Sequence, residues 1–140
     1  MSIDDDLISL FHEHGHGVLV TLKRDGRPQL SNVGYAYTDG RIRVSITAGR
    51  AKTANMRRDP RVSFYVNGPG SRSYAVAEGL AHLSPVAAAP DDATVAELVE
   101  VYRLIAGEHP DWDEFRTAMV TDQRLVLTVA IDRVYGWNGQ

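Results

Sequence analysis

The sequence predicts an α+β fold: a small, mainly antiparallel β-barrel with a helical insertion before its last strand. Three patterns predict it. Asp25-Gly26 and Asp39-Gly40 each separate β-prone runs, a strong hairpin signal. Apolar residues alternate at Ile42, Val44 and Ile46, and again at Val62, Phe64 and Val66. Late in the chain the period becomes helical, with Val95, Leu98, Val99, Tyr102 and Ile105 on one face.

Taken in order, residues 3–13 form the first expected helix. Ile3, Leu7, Leu10 and Phe11 make its stripe, Ser2 caps it, and Asp4, Asp5 and Asp6 suit its positive end. Gly15 and Gly17 end it. Runs 18–22, 29–37 and 41–47, joined by the two Asp-Gly turns, are read as three successive antiparallel strands. Residues 50–58 favour a short helix that Pro60 limits. A strand over 62–66, a loop at Asn67-Gly68-Pro69-Gly70 and a long strand over 73–83, interrupted by Gly79, follow. A helix over 91–106 has Asp91 or Asp92 as cap and Gly107 beyond its end. Asp111 opens another, with Trp112, Phe115 and Met119 on one side. Residues 124–135 close the chain, giving six strands and four helices.

The 140 residues suit one domain, 1–140, with room for a core. The absence of cysteine excludes disulfide scaffolds, iron–sulfur clusters, Cys-ligated zinc and thiol nucleophiles. A net charge of −3 argues against a nucleic-acid-binding polycation. No run approaches the roughly 20 apolar residues of a membrane span, and the acidic start is unlike a secretory signal. A cytoplasmic protein is expected, with no membrane or nucleic-acid partner.

The charge average hides a cluster. Arg50, Lys52, Arg57, Arg58 and Arg61 are five of the fifteen basic residues within twelve positions. Ser45 and Thr47 end the preceding strand, and Gly49-Arg50-Ala51-Lys52-Thr53 opens a helix, an arrangement able to bind phosphate. Arg50 offers a fork and Lys52 a point charge. The alternative is a solvated basic helix paired in part with Asp59. Gln29, Ser31 and Asn32 form a polar strand segment whose amides suit an imide-like ring edge, or else simply an edge strand. Ser73 through Gly79 place small residues at 75, 77, 79 and 81, leaving a face flat enough for a planar ring or another subunit, or one covered by a helix.

Other candidates are weaker. His12, His14 and His16 do not face one another at a spacing of two on a helix, and His82 and His109 lack partners at ligand spacing, so no metal site is expected. Ser71 and Ser73 lack the context of a hydrolase nucleophile. Asp111, Asp113 and Glu114 fit helix-start charges. Trp112 and Trp137 are read as packing residues.

The segments 25–33 (DGRPQLSNV), 50–63 (RAKTANMRRDPRVS), 73–79 (SYAVAEG) and 134–136 (VYG) come in a telling order. So does the insertion with IAGEH (105–109) and DWD (111–113). Together they resemble the actinobacterial deazaflavin-dependent oxidoreductases of the pyridoxamine-phosphate-oxidase-like, split β-barrel superfamily. The resemblance covers nearly the whole chain. It implies an FMN-binding-like split barrel, a homodimer with two cofactor sites at the subunit interface, and coenzyme F420, a deazaflavin bearing a phosphate and an oligoglutamate tail. It assigns Arg50 and Lys52 to the phosphate with Ser45 and Thr47 beside them, counts Ala51 among the cofactor-binding residues, and makes Arg57 and Arg58 candidates to meet the tail carboxylates. Gln29, Ser31 and Asn32 fall near the deazaflavin, and Tyr74, Ala75 and Val76 beside its ring system.

The implied activity is hydride transfer from the reduced deazaflavin to an unsaturated small molecule, with a biliverdin-like tetrapyrrole as first candidate. The cofactor carries the difficult step, so no catalytic residue is singled out. The loop with Gly70 bears on substrate access. An FMN-dependent oxidase acting on pyridoxamine phosphate or a similar amine, and a non-catalytic F420 carrier, are the competing readings.

Overall fold

The computed structural model describes residues 5–13, 15–70 and 72–138. Helix α1 (Asp5–Glu13) leads into strand β1 (His16–Leu22). Strands β2 (Pro28–Gly34), β3 (Ala36–Thr38) and β4 (Arg41–Thr47) follow, then helix α2 (Ala51–Arg58). Strands β5 (Arg61–Asn67) and β6 (Tyr74–Leu83) precede helices α3 (Ala93–Ala106) and α4 (Trp112–Thr121), and β7 (Arg124–Trp137) ends the fold. All pairings are antiparallel, in the order β2-β1-β5-β6-β7-β4-β3.

The α+β split barrel holds, but the expected three-strand meander does not. The run 29–37 breaks at Tyr35 into two strands, so there are seven strands among the described residues rather than six. The cause is long-range. Tyr35 is buried, its hydroxyl donates to the Phe11 carbonyl at 2.7 Å, and its amide donates to the Gly15 carbonyl at 2.9 Å. These bonds hold the chain against α1 and turn it away from β1. Strands β2 and β3 then lie at opposite ends of the sheet order with one residue between them. Such a sheet must curl until its edges approach, and β2 does touch β4.

The barrel interior takes the inward side chains of the strands, including Leu19, Val44, Phe64, Ala75, Ala77 and Leu127. Helix α1 inserts Leu7, Leu10 and Phe11 into it, and α2 adds Met56. The expected Ser2 cap and Ile3 lie outside the described residues. A second core packs Val95, Leu98, Val99 and Val101 of α3, with Phe115 of α4, onto Val126 of β7. Asp92, not Asp91, caps α3 by accepting the Val95 amide at 2.8 Å, and Asp111 accepts the Glu114 amide at 3.1 Å to cap α4. Arg43 on β4 ties α3 down through Glu97 (3.4 Å) and Glu100 (3.0 Å), which holds the Glu100 carboxyl below its ordinary range.

The insertion therefore covers the outer surface of β3, β4 and the start of β7. The remaining outer surface carries exposed Leu30, Leu80, Tyr135 and Trp137, with no helix packed over it among the described residues. Gly79 permits the kink there: a Cβ at this position would lie 2.3 Å from the Ala130 carbonyl oxygen, where β6 and β7 slip register at a bulge.

Candidate functional site

A cation cradle forms where β4 gives way to α2. Ile42, Val44 and Ile46 point inward, so Arg43, Ser45 and Thr47 point out. Antiparallel register sets Thr47 opposite Arg124 and Ser45 opposite Val126. The Ala48 amide donates to the Gln123 carbonyl at 3.0 Å, pinning the loop before α2 to the turn before β7. The Thr53 hydroxyl donates to the Thr47 carbonyl at 2.7 Å, and Arg50 Nε donates to Thr47 Oγ1 at 3.3 Å.

The charges here are on the unfavourable end of the helix. Arg50 is the N-cap of α2 without a side-chain cap bond, and the first turn has no acidic residue. Helix geometry leaves the first amides, those of Ala51 and Lys52, without intrahelical acceptors, at the positive end of the dipole. Arg50 and Lys52 add positive charge to that end, and Arg124 adds more. Among the described residues, none of these three has a carboxylate partner. Burial pushes the Lys52 amine below its ordinary pKa, and the charges of Arg50 and Arg124 push it further the same way. Arg124 Nη1 reaches Ser45 O and Oγ only at 3.4 and 3.5 Å, and its Nε is buried with no hydrogen-bond partner among the described residues. Clustered unpaired cations, free helix amides and an orphaned buried donor are what a bound phosphate would satisfy. These residues fit a phosphorylated cofactor.

The other basic residues are committed elsewhere. Arg58 Nη2 donates to the Leu22 carbonyl (2.7 Å) and to Asn55 Oδ1 (3.0 Å). Arg61 pairs with Asp59 at 2.7 Å, which holds the Asp59 carboxyl down at about 2. Of the helix's C-terminal pair, Arg58 is held by its hydrogen bonds to Leu22 and Asn55, whereas exposed Arg57 makes no side-chain hydrogen bond or ion pair among the described residues.

The polar segment of β2 splits between two surfaces. Gln29 and Ser31 are half-buried on one face, whereas Asn32 is exposed on the other. Gln29 Oε1 accepts from Asn55 Nδ2 at 2.7 Å, and the same amide donates to buried Thr21 at 3.1 Å. Strand β6 divides too. Tyr74 and Val76 alternate with Ala75 and Ala77, which are fully buried in the barrel core. The flat face expected to receive a ring or a subunit is thus the one that α1 packs against, and the Ala75 side chain is a core group.

Outside, register lines up Asn32, Val18, Tyr65, Val76 and Tyr135 across five strands, with Asn67, Tyr74 and Trp137 in the next row. Tyr65 stacks on Tyr74 at 5.8 Å and donates its hydroxyl to Asn67 Oδ1 at 2.7 Å. Trp137, expected in packing, is 52% exposed on this aromatic ledge. Trp112 does pack, edge-on to Tyr102 and Phe115.

Sequence reasoning missed Arg124, Asn55 and the ledge. Nothing local marks Arg124; the long-range pairing of β4 with β7 brings it to Ser45. Among the described residues no group of His, Asp and Glu is arranged to hold a metal, and no helix is long and apolar enough to cross a membrane. His14 and Ser71 lie outside the described residues.

Solved structures share the fold at low identity. One described as an F420 reductase is 23% identical with TM-score 0.73, covering 95% of this chain and 98% of its own. A conserved hypothetical protein from Mycobacterium tuberculosis is 23% identical with TM-score 0.71, covering 98% and 89%. A FAD-binding protein from Mesorhizobium loti is 20% identical with TM-score 0.65, covering 91% and 86%. With residues 3–138 matching the pyridoxamine 5'-phosphate oxidase family, on a split barrel carrying a phosphate-suited cradle, this chain belongs to that family.

Proposed function

We propose that the protein is a reductase that uses the reduced deazaflavin F420 as hydride donor to an unsaturated, conjugated small molecule. The observation that carries this reading is the cradle: Arg50, Lys52 and Arg124 converge without a carboxylate at the free N-terminus of α2. The likeness of the segment 50–63 to deazaflavin-dependent enzymes, and a structural neighbour described as an F420 reductase, favour the deazaflavin over FMN.

When bound, the deazaflavin supplies the hydride, so the chain's own task is to bind, orient and enclose. Arg50, Lys52 and the amides of Ala51 and Lys52 hold the phosphate, with Ser45 and Thr47 alongside. Gln29, oriented by Asn55, and Ser31 meet the ring edge, while exposed Arg57 meets the acidic tail. The ledge of Tyr65, Tyr74, Tyr135 and Trp137 belongs to a second copy's site. Arg124 and Trp137 are the two ends of the 14-residue β7, on the order of 40 Å apart along the strand. A cofactor held by one protomer's cradle is closed over by its partner's uncovered face. That face carries Arg61 and Arg133 beside Glu78 and Asp132, charges of both signs on one surface that a two-fold contact would present to its own copy.

The test is anaerobic mixing of the purified protein with reduced F420 and a panel of acceptors, biliverdin first and unsaturated lactones next. The expected result is acceptor-dependent return of the oxidised deazaflavin's fluorescence. Binding without oxidation by any acceptor contradicts a reductase and leaves a carrier.

A further inference from the structure

Arg124 enters the cradle from 79 positions beyond Ser45, and its surroundings are costly. It follows Gln123, a non-glycine residue at φ +54°, in the left-handed region that residues with side chains disfavour. That conformation aims the Gln123 carbonyl at the Ala48 amide, locking the end of the α3–α4 insertion to the loop that opens α2. Among the described residues, the guanidinium so placed has a buried Nε with no acceptor, two long contacts to Ser45 and no carboxylate, beside two other cations. A group placed for stability alone would be satisfied. We infer that Arg124 is a third phosphate-binding cation of the cradle, held without an internal partner until an anion arrives, and that the α3–α4 insertion serves to deliver it. The inference rests on the proposed reading only in requiring a phosphate group in the cradle, whichever ring it carries.

The test is Arg124→Met, which keeps the apolar stem and removes the guanidinium, with Arg27→Gln as a control for losing one exposed charge. Melting is followed with and without inorganic phosphate, and affinity for phosphate, F420 and FMN is measured by titration. The expected variant melts at or above the wild-type temperature without ligand, and it loses about tenfold in phosphate affinity, a factor in the range of one charged contact. Its Lys52 amine titrates nearer the ordinary lysine range, while the control changes none of these. Failure of Arg124→Met to fold, or a lower melting temperature with unchanged phosphate affinity, makes Arg124 structural and overturns the inference. A wild type stabilised by neither phosphate nor phosphorylated cofactor overturns it as well. If the wild type binds phosphate and FMN but not F420, and Arg124→Met weakens both, the deazaflavin reading falls while the role of Arg124 stands.

Discussion

Replacing Arg50 and Lys52 together with alanine is expected to weaken F420 binding by about a hundredfold or more. A hydrogen bond to a charged group contributes roughly 1.5–3 kcal/mol, so two such contacts amount to some 3–6 kcal/mol if they act independently. The free protein loses little by the change, because both side chains sit at the wrong end of a helix dipole without a carboxylate. Melting should therefore hold while affinity collapses. A fall in both together would mean that the pair supports the fold instead.

The same geometry sets a pH dependence. Burial, Arg50 and Arg124 lower the Lys52 pKa from its ordinary 10.5, so the folded, ligand-free protein holds that proton less tightly than the unfolded chain. Between the lowered value and the ordinary one the unfolded state binds more protons, and the stability of the free protein rises with pH in that window. Phosphate affinity moves the other way, falling as Lys52 loses its charge. Titrating the affinity of Lys52→Arg, which stays charged, should flatten this alkaline fall.

Asn55→Ala is expected to cost about 2–3 kcal/mol in denaturant unfolding, as one side chain serves three partners. Its amide donates to Thr21 and Gln29, and its carbonyl accepts from Arg58. Thr21 is fully buried, so its hydroxyl loses a partner where water has no access. Loss of Asn55 also frees Gln29 to rotate, so a weaker hold on the cofactor accompanies the instability. A change below about 0.5 kcal/mol, the size of an ordinary surface substitution, would show that the network is not a structural tie.

Much of this architecture is legible in the sequence because local chemistry and the final fold agree. Asp25-Gly26 and Asp39-Gly40 do make hairpins, with positive φ at both glycines. Asp92 and Asp111 do cap their helices, and Ser45, Thr47, Arg50 and Lys52 do gather at one place because they are close in the chain. What escaped depends on distant partners. Tyr35 has ordinary strand propensity, and only its bonds to Phe11 and Gly15 break the strand there. Alternation along β6 is visible, but which set faces the core depends on where α1 lands. Arg124 is set beside Ser45 by long-range strand pairing and by the Gln123 turn pinned to Ala48, and its own sequence neighbours mark neither.

Cofactor choice is read out by a side-by-side equilibrium titration of the purified protein with F420 and with FMN, with the Arg50/Lys52 double variant in parallel. The expected result is micromolar-range binding of F420 at one site per chain, weaker binding of FMN, and loss of F420 binding in the double variant. A protein that purifies yellow with tightly held FMN and gives no response to F420 would contradict it.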